Sequence, residues 1–331
     1  MERFALAAAV VLGFALTAAL CSLFVPLRRV LERREQQQQP VQSEQPRPAP
    51  LRAPLWGGLC AAAGTVAAVG VGWLAACVGQ PELLGSEGRL MTRLLTALAG
   101  SLAFGAVGLA EDLARMRSPA ALGLRRDVRL LLEALAAAFV LLLLRAAGCL
   151  PRGLGVPGAG YVLLGSAVPF LWAVLMVALA ECARIAERDE GAVCGAAFVA
   201  MLALMMVEAG LGVSGLAVLP GALAGALVAL GLWAFPPARL GAGCCGSLLA
   251  AGAIGCIPLS LDMTSLTVPL ALPFWAAGGL LAAQLLCAKR TGKPLRCWVK
   301  KHKMSPETVF LCSFALSAVG YVLALALLRW C

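Results

Sequence analysis

Apolar runs of about 20 residues recur along this chain, and each is just long enough to cross the hydrocarbon core of a bilayer as a helix. The chain has 331 residues, of which 61% are hydrophobic and 13% are charged. A soluble fold of this size cannot bury that much apolar surface. The sequence therefore predicts an all-α, polytopic transmembrane helical bundle that forms one membrane domain over residues 1–331.

Ten membrane spans are predicted from the apolar runs. They cover residues 4–26, 56–78, 91–110, 129–148, 159–180, 192–211, 214–234, 247–263, 266–287 and 307–329. The first run is too long for a signal peptide and lacks a clear small-residue cleavage site, so we interpret it as a span. The turns at 212–213 and 264–265 are very short. Kinked single helices, and hence eight or nine spans, therefore remain open.

Basic residues are distributed unevenly between the two ends of the predicted spans. The segments that follow spans one, three, five, seven and nine carry 21 of the 27 Lys and Arg residues. By the positive-inside rule these segments face the cytoplasm and both termini lie outside. The net charge of +10 is then explained by topology and anionic lipid headgroups, with no nucleic-acid partner. Residues 35–50, rich in Gln and Pro, are predicted to form a flexible cytoplasmic linker.

Cysteine and histidine usage argues against a zinc site or a disulfide framework. The 13 cysteines are scattered through apolar runs without metal-ligand spacing, which is typical of small buried hydrophobic residues. The single histidine, His302, excludes any mechanism that needs a histidine cluster.

Polar residues cluster at the predicted cytoplasmic ends of the spans. Glu111 and Asp112 end the third span and precede a basic loop, and a mixed-charge segment over 181–191 ends the fifth. Adjacent carboxylates beside cations suit a divalent metal ion and a phosphorylated substrate, because Mg²⁺ prefers oxygen ligands. The alternative for each group is a solvated helix end among lipid headgroups, and both interpretations stay open on these residues alone.

Three motifs, taken in order, resemble the polyprenyl-phosphate phosphosugar transferase family. They are RAPLWGGL from Arg52, GLAED from Gly108, and RRDVRLLLEAL from Arg125, which follows a loop containing LGL. The likeness covers nearly the whole chain and is greatest to the phospho-N-acetylmuramoyl-pentapeptide transferase branch. Ten spans with both termini outside also agree with that family.

The resemblance implies a Mg²⁺-dependent transfer of a phosphosugar from a UDP-sugar to undecaprenyl phosphate, with release of UMP, at the cytoplasmic side of a bacterial plasma membrane. The product would serve peptidoglycan or a related cell-envelope glycan, and a homodimer is left open. Glu111 and Asp112 fall on the family's catalytic acid pair. By the same correspondence, Glu111, Asp112 and Glu187 are the expected metal ligands. The expected substrate-binding residues are Arg115, Arg129, Arg184, Glu187, Glu190, Gly191 and His302.

The chain also departs from the family at several of these positions. The first acid of the pair is Glu111 rather than aspartate, and the position of the family's metal-binding aspartate is occupied by Cys244. A neutral thiol is a poor Mg²⁺ ligand. His302 stands alone where the family has consecutive histidines. Electrostatic stabilisation of the transferred phosphate would be weakened, so the family reaction is expected to be weak, altered or absent.

Three functional hypotheses remain open. The first is a divergent phosphosugar transferase, and the second is a non-catalytic relative that binds lipid phosphate, nucleotide sugar or cell-wall partners. The third is an unrelated transporter. The few charges within the predicted spans, such as Glu133 and Glu208, lie near span ends, which speaks against ion coupling.

Overall fold

The computed structural model describes residues 2–38, 56–79, 88–117, 123–151, 153–156, 160–163, 165–187, 191–235, 239–291 and 306–330. Within these ranges the chain is helical, apart from one short hairpin, a 3₁₀ turn and connecting turns. The helices are α1 (Glu2–Gln38), α2 (Gly57–Gly79), α3 (Gly88–Arg117), α4 (Arg126–Ala146), α5 (Ala167–Ala186), α6 (Ala192–Gly210), α7 (Ser214–Ala234), α8 (Gly243–Ser260), α9 (Thr267–Leu270), α10 (Leu272–Thr291) and α11 (Pro306–Trp330).

The predicted helical membrane bundle is confirmed. Eight helices in the described ranges are long and apolar enough to cross a membrane, and a ninth span is available if the bent segment from 264 to 283 counts as one. That segment bends by 64° after Leu270. The turn at 212–213 separates two distinct helices, α6 and α7. The remaining predicted span is α4, a complete helix that carries five charged residues.

The fifth predicted span is wrong at its start. Residues 160–163, expected to be helical, form strand β2 (Gly160–Leu163), which pairs antiparallel with β1 (Gly153–Val156). Glycine and proline are frequent between residues 153 and 165, and both disfavour helix. Helix α5 begins instead at Ala167 and continues to Ala186, which places Glu181 and Arg184 inside its last turns.

Helix α8 is the central element of the bundle. All eighteen of its residues are buried, and α2, α3, α5 and α6 pack around it. Its sequence, GCCGSLLAAGAIGCIPLS, consists largely of small residues. Small side chains allow neighbouring helix backbones to approach closely, which is how membrane helices gain packing energy without a hydrophobic driving force.

The most extensive contact with α8 is made by α3. A Cβ atom added at Gly108 would meet the carbonyl oxygen of Cys244, and one added at Gly252 would lie 3.1 Å from the Cα of Ser101. The first contact brings the last turns of α3 against the first turn of α8, and the second lies near the middle of both helices. The charged residues at the end of α3 are positioned by that packing.

Large apolar side chains cover the outside of the bundle, as expected for a lipid-facing surface. Leu23, Leu74, Val78, Leu142 and Phe170 are among those exposed. The predicted linker overlaps the end of α1, since α1 continues to Gln38, whereas residues 39–50 lie outside the described residues.

We predict that Gly108→Val destabilises the bundle, because the added side chain overlaps the backbone of α8. Overpacking of this kind costs about 1–3 kcal/mol. The matched control is Gly70→Val, since nothing lies within 4 Å of a Cβ at Gly70. Thermal unfolding of the detergent-solubilised variants measures the effect. Equal melting temperatures for the two variants would contradict the described α3–α8 contact.

Candidate functional site

Asp112 joins the end of α3 to the beginning of α8. Its Oδ1 atom accepts a hydrogen bond from the backbone N–H of Cys244 at 3.0 Å, and its Oδ2 atom accepts one from the N–H of Cys245 at 2.9 Å. The first N–H groups of a helix have no partner within the helix. Because Asp112 is 1% exposed, its carboxylate satisfies donors that water does not reach. The carboxylate also lies at the positive end of the α8 dipole, which favours its charge.

Arg115 lies one turn after Glu111 and Asp112 and contacts three acids. Its Nη2 atom is 2.7 Å from Oε1 of Glu111, and its Nη1 atom is 3.9 Å from Oδ1 of Asp112. The same Nη1 atom is 3.7 Å from Oε2 of Glu187, which directly follows α5. The three predicted metal ligands therefore converge, and a guanidinium group lies among them.

Arg129, in the first turns of α4, connects this group to α5. Its Nε atom donates a hydrogen bond of 2.7 Å to Oε1 of Glu181, and its Nη1 atom is 3.8 Å from Oε1 of Glu111. Arg184 Nη2 donates to the other oxygen of Glu181, also at 2.7 Å. Glu133 lies 4.0 Å from Arg129 and is fully buried. Helices α3, α4 and α5 thus contribute to one network of ion pairs.

This network is only partly shielded from solvent. The side chains of Asp112, Glu111 and Glu133 are almost fully buried, whereas those of Arg115 and Arg184 are 21% and 15% exposed. Buried charges are tolerated only when they are paired or hydrogen-bonded. Since Arg remains protonated at physiological pH, the three guanidinium groups are permanent cations at this end of the bundle. Within the network, Arg115 and Arg184 have the most exposed cationic side chains, so a ligand can reach them.

The described acids do not fit a Mg²⁺ site, because their oxygens are bound to arginine and to backbone N–H groups. Among the residues with assigned positions, no group of three His, Cys, Asp or Glu side chains is placed to hold a metal ion. Both oxygens of Asp112 accept backbone hydrogen bonds, and Arg115 is hydrogen-bonded to Glu111. Mg²⁺ requires near-octahedral oxygen ligands at about 2.0–2.1 Å. Cys244, at the position of the family's metal aspartate, is buried and reaches Asp112 through its backbone N–H.

Three of the predicted substrate-binding residues lie apart from the network or cannot be placed. Gly191 precedes α6 with φ of 77°, and a Cβ there would approach the carbonyl oxygen of Ala234 within 3.1 Å. It therefore lies directly before the first residue of α6 and packs on the end of α7. Glu190 and His302 lie outside the described residues, so their roles stay predictions.

Two acids of the network were not predicted as site residues. Glu181 is the shared partner of Arg129 and Arg184, and Glu133 lies one turn beyond Arg129. In both cases the spacing of charged residues along the helix could have predicted the ion pair. Glu181 stands three residues before Arg184, and Glu133 stands four residues after Arg129, which are separations at which helical side chains meet.

We predict that Asp112→Ala destabilises the protein, because the first N–H groups of α8 lose their acceptors. Loss of a helix cap costs about 0.5–2 kcal/mol. Asp127→Ala is the control, since Asp127 is an exposed acid in the first turn of α4. Differential scanning fluorimetry in detergent should show a larger decrease in melting temperature for Asp112→Ala. A decrease no larger than that of the control would contradict the capping role.

Comparison with known proteins agrees with this architecture. Residues 94–262 match the family described as Glycosyl transferase family 4. The match covers just over half of the chain and runs from α3 to the end of α8, so it contains every residue of the ion-pair network. No curated protein matches the chain significantly. The chain belongs to glycosyl transferase family 4 and is, in general terms, a phosphosugar transferase of the membrane.

Proposed function

We propose that the chain transfers a phosphosugar from a UDP-sugar to undecaprenyl phosphate and releases UMP. An oxygen of the lipid phosphate forms a bond to the β-phosphorus of the donor, and the bond between that phosphorus and the bridging oxygen breaks. The bridging oxygen leaves with UMP. The observation that carries this proposal is the convergence of three guanidinium groups, Arg115, Arg129 and Arg184, on acids at one end of the family-matched helices.

The partly exposed arginines are suited to bind phosphate. Arg115 and Arg184 each donate a short hydrogen bond to an acid through Nη2, the Nη1 atom of Arg115 lies farther from Asp112 and Glu187, and both side chains remain partly accessible to solvent. A guanidinium has five N–H donors, so each can hold its acid and still donate to a phosphate oxygen. Arg129 is more deeply buried, and its bond to Glu181 orients that acid and through it Arg184.

The N-terminus of α8 has a supporting role in this proposal. Helix N-termini often bind phosphate through their free N–H groups. Here the N–H groups of Cys244 and Cys245 already donate to Asp112. Phosphate recognition is therefore assigned to the arginine side chains, and Asp112 is assigned to positioning α3 on α8.

The proposed site faces the cytoplasm of a bacterial plasma membrane. The excess of Lys and Arg in the segments after the odd-numbered spans supports this orientation, and the ion-pair network lies at that end of α3 and α5. A cytoplasmic site has access to nucleotide-sugar donors. The proposed product is a lipid-linked phosphosugar for peptidoglycan or a related envelope glycan.

A second candidate function is binding without catalysis. The observation that favours it is the engagement of Asp112, whose two oxygens both accept backbone hydrogen bonds. A carboxylate held in this way has one lone pair of each oxygen engaged by the backbone, which favours a structural role. In this case the chain would hold lipid phosphate or a nucleotide sugar for another envelope protein.

We predict that the purified protein releases UMP from a UDP-sugar in the presence of undecaprenyl phosphate, and that Arg184→Met lowers kcat/KM. Losing one hydrogen bond to a charged group costs about 1.5–3 kcal/mol, which is a decrease of about tenfold or more. Arg145→Met is the matched control, because Arg145 is an exposed arginine at the opposite end of α4. UMP is measured by chromatography over a panel that includes UDP-N-acetylglucosamine and UDP-N-acetylmuramoyl-pentapeptide.

The same variants separate the two candidate functions. Release of UMP that is unaffected by Arg184→Met would contradict the assigned phosphate contact. Absence of release with every donor, together with saturable binding of undecaprenyl phosphate, would favour the non-catalytic function.

A further inference from the structure

The guanidinium of Arg115 lies among Glu111, Asp112 and Glu187, the three acids that the family resemblance assigns to a metal ion. It is 2.7 Å from an oxygen of Glu111, 3.9 Å from one of Asp112 and 3.7 Å from one of Glu187. Two of these acids come from α3 and the third is the residue that follows α5, and Arg115 contacts all of them. It therefore supplies positive charge at the point where the three negative charges converge.

The position of Arg115 is supported by the backbone around it. Gly123 has φ of 70°, and a Cβ atom there would lie 3.1 Å from Cγ and 3.3 Å from Nε of Arg115. The chain before α4 therefore packs closely along the arginine side chain. Only glycine combines that backbone conformation with so close an approach at low cost. This contact restricts the movement of the guanidinium away from the acids.

The surroundings of Glu111 further disfavour a divalent ion. Its Oε1 atom is near two guanidinium groups, those of Arg115 and Arg129. Its Oε2 atom is buried and has no hydrogen-bond partner among the described residues, so this oxygen could take a cation once Arg115 is removed. A Mg²⁺ ion bound to Oε1 would be close to two permanent positive charges. It would also have to lose bound water, which Mg²⁺ releases reluctantly. Both effects oppose metal binding.

We propose that Arg115 is the resident cation of this acid group and takes the place of a divalent metal ion. The protein then holds its acids together without Mg²⁺. This inference deepens the proposed function, because it makes recognition of the phosphorylated substrate depend on guanidinium groups of the chain itself. Removing Arg115 should convert the acids into a metal site.

The test measures binding of Mn²⁺ to the full-length protein in detergent by electron paramagnetic resonance, in which bound Mn²⁺ loses its free-ion signal. The wild type is expected to show no saturable site up to about 1 mM, the affinity range of weak divalent-cation sites. Arg115→Met is expected to gain one Mn²⁺ site with a Kd at least tenfold below about 1 mM. The double variant Arg115→Met with Glu111→Gln is expected to lose that site. Arg145→Met should behave as the wild type.

Two outcomes overturn the proposal. One is a saturable Mn²⁺ site in the wild type that Glu111→Gln abolishes. The other is a folded Arg115→Met variant that gains no site. If Arg115→Met does not fold, Arg115→Gln replaces it with a neutral side chain that retains hydrogen-bonding capacity. Metal binding is measured without substrate, so it is independent of UMP release. Failure of the transferase assay with every donor would contradict the proposed function and leave the Mn²⁺ result standing.

Discussion

The structure depends on the contact between the end of α3 and the beginning of α8. Asp112 accepts hydrogen bonds from the first N–H groups of α8, and Gly108, one turn earlier on α3, allows the backbone of α8 to approach. Helix α8 is buried along its whole length, so its first N–H groups cannot rely on water. A carboxylate from a neighbouring helix supplies the missing acceptors. This contact places the acidic end of α3 against the first turn of the central helix, α8.

The remaining charges follow from that acidic end. Once Asp112 and Glu111 are buried, cations must lie nearby, because an uncompensated buried charge is costly. Arg115 supplies one from α3 itself, and Arg129 supplies another from α4. Glu181 then pairs with both Arg129 and Arg184 and ties α5 to the same network. The result is one network of ion pairs, in which we propose that arginine binds phosphate and takes the place of a metal ion.

The chain matches the phosphosugar transferase family but carries two unusual residues in the site. The family match covers the helices that carry the network, while Glu111 and Cys244 change the chemistry available there. The lengthened acid is bound by arginine, and the thiol position contributes a backbone N–H to Asp112. These contacts support our proposal that arginine side chains recognise the substrate.

The amino-acid sequence by itself determined the membrane class, the positions of most helices and the acid pair at the end of the third span. Apolar run length and charge placement are local properties, and helices in a bilayer satisfy their own backbone hydrogen bonds, so these features can be read along the chain. The sequence analysis missed the hairpin before α5, because the span was predicted from apolar content. The Gly and Pro residues that interrupt the helix there do not lower that content enough to show the break. Tertiary structure alone decided that Asp112 caps α8, that Glu181 bonds Arg129 and that Glu187 reaches Arg115. Those contacts join residues as far as 133 positions apart, and no local pattern specifies which helix packs against which.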